Sequence, residues 1–308
     1  MSTAGVVVLA LTAAGLYGAG AVCAWRDVGR AVRPGRRTES LALAGVAAQT
    51  GALLWPWVSA GRVAFAGGAA GSLGLFAVCA GVAYLLLGAR CRGPWWGALM
   101  LPVAALASLA GGVWQWYEAR QATALSGASF GPGWALVHIV PTVVGIVCLA
   151  AGAALCVMYL VEEGYLRGRR LGETLQWLPA LETLDRLSGW ALGLAFGLLS
   201  VGLVTGTIRA LFWQQLGAGW ALDPKVLSSA VTWVFVGAVL VVKRRNALGG
   251  RRLAYLVVLA ALLAAFTYVG VDALLGGRHA GLRVREESRG AQGGSPGDKP
   301  QDGPRGGA

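Results

Sequence analysis

The chain has 308 residues, 56% of them hydrophobic and only 13% charged, with 48 glycines and a mean hydropathy of +0.62. That profile excludes an ordinary water-soluble domain and fits a polytopic membrane protein. The formal charge of +12 invites a nucleic-acid partner, but the cations sit in short loops between apolar runs rather than on one soluble basic face, so that class is excluded too.

A spanning helix needs about 20 largely apolar residues at about 1.5 Å rise each. Eight stretches qualify, at residues 4–25, 40–57, 63–87, 95–117, 135–160, 190–211, 227–242 and 253–275. The predicted fold class is therefore all-α integral membrane, about eight transmembrane helices, with an outward loop between helices six and seven. The first run follows Met1-Ser2-Thr3 without a basic segment, so it is expected to stay in the membrane rather than be cleaved. Small residues in Gly67-Gly68-Ala69-Ala70-Gly71 and at Gly193 and Gly197 predict close helix packing.

The longest internal connection, 161–189, carries Leu175, Leu178, Leu181, Leu184 and Leu187 around Pro179, which predicts a short helix lying on the membrane surface. Glu162, Glu163, Arg167, Arg169 and Arg170 read as a solvated connector. The membrane domain is expected over residues 1–283. Beyond it, 284–308 is rich in Gly, Pro and Arg, with too few apolar groups to offset the entropy of ordering, and is expected to be disordered.

Loops after spans one, three, five and seven hold sixteen Lys and Arg residues against four in the alternate loops. By the positive-inside rule the first set is cytoplasmic, so both termini face outward, in a bacterial cytoplasmic membrane. Cys23, Cys79, Cys91, Cys148 and Cys156 fall within spans or near cytoplasmic ends, with no C-x-x-C pair, so packing rather than a disulfide framework is expected. The chain has no C-x-x-C-H and is not itself a c-type cytochrome.

Only two histidines occur, His138 and His279, and the predicted topology puts both on the outer face. Each is by itself an ordinary interfacial residue. Together they are too few for structural zinc, which takes four protein ligands, but enough for haem, whose porphyrin supplies the remaining four donors and whose apolar ring needs aromatic walls. The loop from Trp213 to Lys225 lies between them in the chain and contains Trp220. Most other tryptophans are explained by aromatic belts at the two interfaces. Lys225, Arg209 and Arg278 are outward cations able to meet haem propionates. Asp272 is an intramembrane carboxylate and a functional candidate on that ground.

Several segments together resemble the cytochrome c assembly family of membrane haem-handling proteins, the CcsA-type group with a tryptophan-rich outward loop. The segment from Leu178-Pro179-Ala180-Leu181-Glu182 to Asp185-Arg186-Leu187 is similar to its cytoplasmic connector, Gly202-Leu203-Val204-Thr205-Gly206 to the stretch before its haem loop, Trp220-Ala221-Leu222-Asp223-Pro224-Lys225 to that loop's W-x-W-D-P-K core, and Gly270-Val271-Asp272 through His279-Ala280-Gly281-Leu282 to its closing segment. The resemblance covers about residues 130–282. It implies His138 and His279 as axial ligands of a non-covalent b-type haem, with Trp220, Asp223, Pro224 and Lys225 in the haem-holding loop. The sequence departs from the pattern at Leu222 (for Trp), Val226 (for an acid), Leu227-Ser228-Ser229 (no Trp) and Asp272 (for Asn).

The resemblance implies a membrane haem-binding protein of cytochrome c biogenesis, holding haem on the outer face for attachment to apocytochrome c. Its partners would be apocytochrome c, an assembly subunit and the bilayer, and as an enzyme it would be at most a subunit of a haem ligase. The alternative is a membrane regulator of haem biosynthesis without ligase activity. A transporter is disfavoured, since only Asp272 is a clear intramembrane charge and no pair of broken helices stands out.

Overall fold

The computed structural model describes residues 3–32, 35–60, 69–88, 93–120, 132–168, 178–213 and 224–270. They form eight helices: α1 (Thr3–Gly29), α2 (Arg36–Ala60), α3 (Ala69–Gly88), α4 (Pro94–Arg120), α5 (Pro132–Arg167), α6 (Leu181–Trp213), α7 (Pro224–Arg244) and α8 (Gly250–Ala265), the last running on into a π turn, Phe266–Gly270. The all-α membrane architecture is as the apolar runs predict. Seven helices are long and apolar enough to cross a bilayer. The eighth, α2, has the length but carries Arg36, Arg37, Glu39 and Gln49.

Local chemistry sets several boundaries. α4, α5 and α7 each begin on a proline, a residue whose missing N–H costs nothing at a first helical position. α1 and α7 end on residues in the left-handed region, Ala31 (φ 51) and Asn246 (φ 47). In both, the following N–H turns back five residues, Val32 to Asp27 and Ala247 to Val242, the reversal that satisfies the last orphan carbonyls.

The helices pack antiparallel in two rings of four. In the first, α1 lies against α2 and α4, and α3 against the same two; in the second, α5 lies against α6 and α8, and α7 against the same two. The rings meet where α5 touches α3 and α4. The register of the first ring is fixed by close approaches: a Cβ on Gly45 or Gly81 would strike the Tyr17 ring or hydroxyl, and one on Gly74 would stand 2.8 Å from the Gln49 amide. Ser108, fully buried on α4, donates to the Ala10 carbonyl at 3.0 Å and lies within hydrogen-bond distance of the Gln49 amide. α1, α2 and α4 are thus joined through a polar link inside an apolar core, where an unpaired group would be costly.

In the second ring, Trp233 on α7 stacks on Phe196 of α6 (centroids 5.3 Å apart) and donates from Nε1 to Ser200 Oγ at 2.8 Å. Thr232 and Thr267 meet at 3.0 Å between α7 and the π turn. At the opposite end Lys243 reaches Asp185 at 2.6 Å and Ser188 at 3.3 Å.

Three expectations are corrected. From Leu178 onward the leucine stripe is not a surface helix: α6 already begins at Leu181, just past Pro179, and Leu178 and Leu184 are buried in the core shared with α4 and α5. The hydrophobic core offers Leu184 more contact than the bilayer surface would. Nor do Gly193 and Gly197 mark a tight crossing, since a Cβ on either meets nothing within 4 Å. Glu162, expected in solvent, is buried with one carboxylate oxygen lacking a partner, and Glu163 pairs with Arg167 at 3.1 Å. Gly67, Gly68, Leu175 and the segment 284–308 lie outside the described residues.

Candidate functional site

α5 starts at Pro132, three residues before its apolar run, so His138 lies inside the helix, about two turns from its first residue. Pro141 is then interior and leaves the Val137 carbonyl without its usual N–H partner. Thr142 donates to the His138 carbonyl at 2.7 Å, a back-bond typical of a locally bent helix.

The half-buried His138 ring faces α6. Its Nδ1 is 2.9 Å from the Gly202 carbonyl and 3.3 Å from Thr205 Oγ1. Gly206 is close enough that a Cβ there would stand 2.9 Å from His138 Cε1, and a Cβ on Gly202 would collide with the Thr142 hydroxyl. One seam further along, a Cβ on Gly145 would lie 3.1 Å from Leu199. Small residues on both helices thus let α5 and α6 approach in antiparallel register, with His138 at the end of the seam. In the sequence, Gly202, Thr205 and Gly206 stand out only as a stretch like the one before the family's haem loop. The available signal was their spacing, three and four residues apart on one helical face.

Pro224 and Lys225 open α7. Since α5 and α7 begin, and α6 and α8 end, at the same end of the ring, these two residues share that end with His138. Ser228 and Ser229 donate back to the Lys225 carbonyl, at 3.1 and 2.7 Å. The remaining predicted site residues, Trp220, Asp223, Asp272, Arg278 and His279, lie outside the described residues, as does all of the loop between Trp213 and Pro224. The described chain leaves the ring at Gly270, on the His138 end, and His279 follows nine residues later, within roughly 30 Å of extended chain.

Among the described residues no three His, Cys, Asp or Glu side chains cluster as a metal site. Cys23, Cys79, Cys148 and Cys156 are free thiols within helices, consistent with a packing role. The described part of the site fits one axial half of a haem site: a single imidazole, anchored by one nitrogen to a carbonyl, in an apolar helix seam.

The sequence profile of the cytochrome c assembly protein family matches residues 66–279, more than two thirds of the chain. The chain belongs to this family. The match begins well before the segments that carry the motif resemblance and takes in α3 and α4 as well as the second ring. Among curated relatives, an uncharacterized 28.8 kDa protein of Azospirillum brasilense is 31% identical over 51% of this chain and 59% of its own length. Cytochrome c biogenesis protein CcsA of Guillardia theta is 28% identical over 47% of this chain and 53% of its own. CcsA of Gloeobacter violaceus is 35% identical over 35% of this chain and 31% of its own. The chain thus spans about half the length, or less, of these relatives. No solved structure gives a significant match.

Proposed function

We propose that this protein holds a non-covalent b-type haem at the outer face of a bacterial cytoplasmic membrane and presents it for attachment to apocytochrome c, in company with a partner assembly subunit. The observation that carries the reading is His138: one of only two imidazoles in the chain, set in an apolar seam and anchored through Nδ1 to the α6 backbone. Family membership and the relatives named for cytochrome c biogenesis support it.

In this reading His138 and His279 would ligate the iron, Trp220 would supply apolar surface to the ring, Asp223 and Pro224 would belong to the haem-holding loop, and Lys225 would meet a propionate. Haem, when bound, supplies the iron and the vinyl groups that the thiols of an apocytochrome add to. The protein contributes position, ligation and exclusion of water. The basic-residue asymmetry supports both termini, His138 and the 213–225 loop facing outward.

The test is a reduced-minus-oxidised visible spectrum of the detergent-purified chain, beside His138→Ala, His279→Ala and Trp220→Ala. A low-spin bis-imidazole spectrum is expected, lost equally in either histidine variant and partly restored by added imidazole, which fills a vacant axial position but does little for Trp220→Ala. Unchanged spectra in both histidine variants would sink the ligand assignment. No haem in the unsubstituted protein would leave the biosynthesis-regulator alternative ahead.

A further inference from the structure

The α6 face opposite His138 does more than make room for it. In an α-helix each carbonyl points toward the residue four places on, whose side chain normally flanks it. For Gly202 that residue is Gly206, so the carbonyl edge is uncovered and His138 Nδ1 reaches it at 2.9 Å. Thr205 directs its own hydroxyl proton to the helix carbonyls of Val201 (2.8 Å) and Gly202 (3.0 Å). With its proton on either carbonyl, its oxygen can accept from Nδ1, 3.3 Å away. The Gly202 carbonyl can only accept, so the 2.9 Å contact calls for a proton on Nδ1, and in the neutral ring the lone pair then sits on Nε2.

We propose that Gly202, Thr205 and Gly206 of α6 form a positioning device that selects the Nδ1–H tautomer of His138 and sets its ring plane before any ligand arrives. Thr205 and Gly206 are positioning residues: the first as a second acceptor, the second because any side chain there would press on the ring and cover the carbonyl. Thr142 holds the register from the other side. Its hydroxyl is tied to the His138 carbonyl and stands where a Gly202 side chain would go. The consequence for iron ligation rests on the proposed function, since a neutral histidine ligates through the nitrogen that keeps its lone pair. The tautomer itself does not.

The experiment uses the full chain in detergent without haem, its histidines labelled with nitrogen-15 and His279 replaced by Ala, so that His138 gives the sole imidazole signal. At a pH where the ring is neutral, Nδ1 is expected as the protonated nitrogen and Nε2 as the bare one. Thr205→Val should give a mixture of tautomers and Thr205→Ser should restore the single form. Gly206→Ala should move a large part of the proton to Nε2. A proton found on Nε2 in the unsubstituted site overturns the device, as does a tautomer indifferent to both Thr205→Val and Gly206→Ala. Titration with iron protoporphyrin, on chains that retain His279, then reads the two claims apart. Affinity weakened roughly tenfold or more in Gly206→Ala supports the device, whereas no binding by any chain counts against the haem reading alone and leaves the tautomer result standing.

Discussion

The two rings solve helix packing differently. In the first, glycines give way to aromatic and polar side chains from neighbouring helices: Gly45 and Gly81 to Tyr17, Gly74 to Gln49, Gly97 to Tyr84. The most apolar stretch of α4 is 56% buried. In the second, the corresponding stretch of α5 is equally buried, but those of α6 and α7 are only 17% buried, and α6 presents Trp190, Leu194, Val201, Val204 and Leu211 outward. Lipid is as apolar as leucine, so exposing these residues to a bilayer costs nothing. The first ring is a scaffold that carries one buried polar link, Ser108 with Gln49 and the Ala10 carbonyl. The second makes its most extensive contact between α5 and α6, and that seam holds His138.

Overpacking the first ring should break this comparison most severely if it is wrong. Gly81→Leu forces a side chain into the Tyr17 hydroxyl and Val46 and is expected to cost about 3 kcal/mol, read as a fall in thermal stability in mild detergent. Tolerance of this change would mean that the first ring is not tightly packed.

Gly202→Val is expected to open the α5–α6 seam by collision with Thr142, at about 2 kcal/mol. It should also abolish haem binding, while limited proteolysis of the first ring stays unchanged. Rings that lose protection together would show them to be one cooperative unit.

A smaller effect is expected from Gln49→Leu, which removes one member of the buried link to Ser108. Interhelical hydrogen bonds of this kind contribute about 0.6–2 kcal/mol. Stability should fall by that amount with no change in the spectrum of any haem bound, and a spectral shift would mean that the scaffold reaches the site.

Gly197→Ala sharpens the contrast from the other direction. Its Cβ enters open space, so the gain in helix propensity, at most about 1 kcal/mol, should show as unchanged or slightly higher stability. Destabilisation would reveal that this face of α6 is covered by another protein in the membrane preparation.

Much of the fold was legible in the sequence because spanning helices are defined by local quantities. Length and apolarity placed all eight helices, and the alternation of basic loops assigned them opposed directions without reference to any contact. Boundaries were less legible. Pro132 and Pro224 begin helices before the apolar runs do, since helix starts follow capping geometry rather than hydropathy. The leucines of 178–187 look the same whether they face a membrane surface or a protein core, and only the presence of α4 and α5 beside them decides for the core.

The candidate site divides in the same way. Sequence alone singled out His138, because two histidines in 308 residues leave little choice, and it supplied the family resemblance that the profile match establishes. It could not tell which glycines are tight: Gly193 and Gly197 have the spacing of a packing motif and face open space, whereas Gly202 and Gly206, with the same spacing, meet Thr142 and His138. Nor could it assign a proton to one nitrogen of an imidazole. Both depend on which helix lies opposite and in what register, and register is fixed by the summed fit of side chains far apart in the chain, a property that no local stretch of sequence contains.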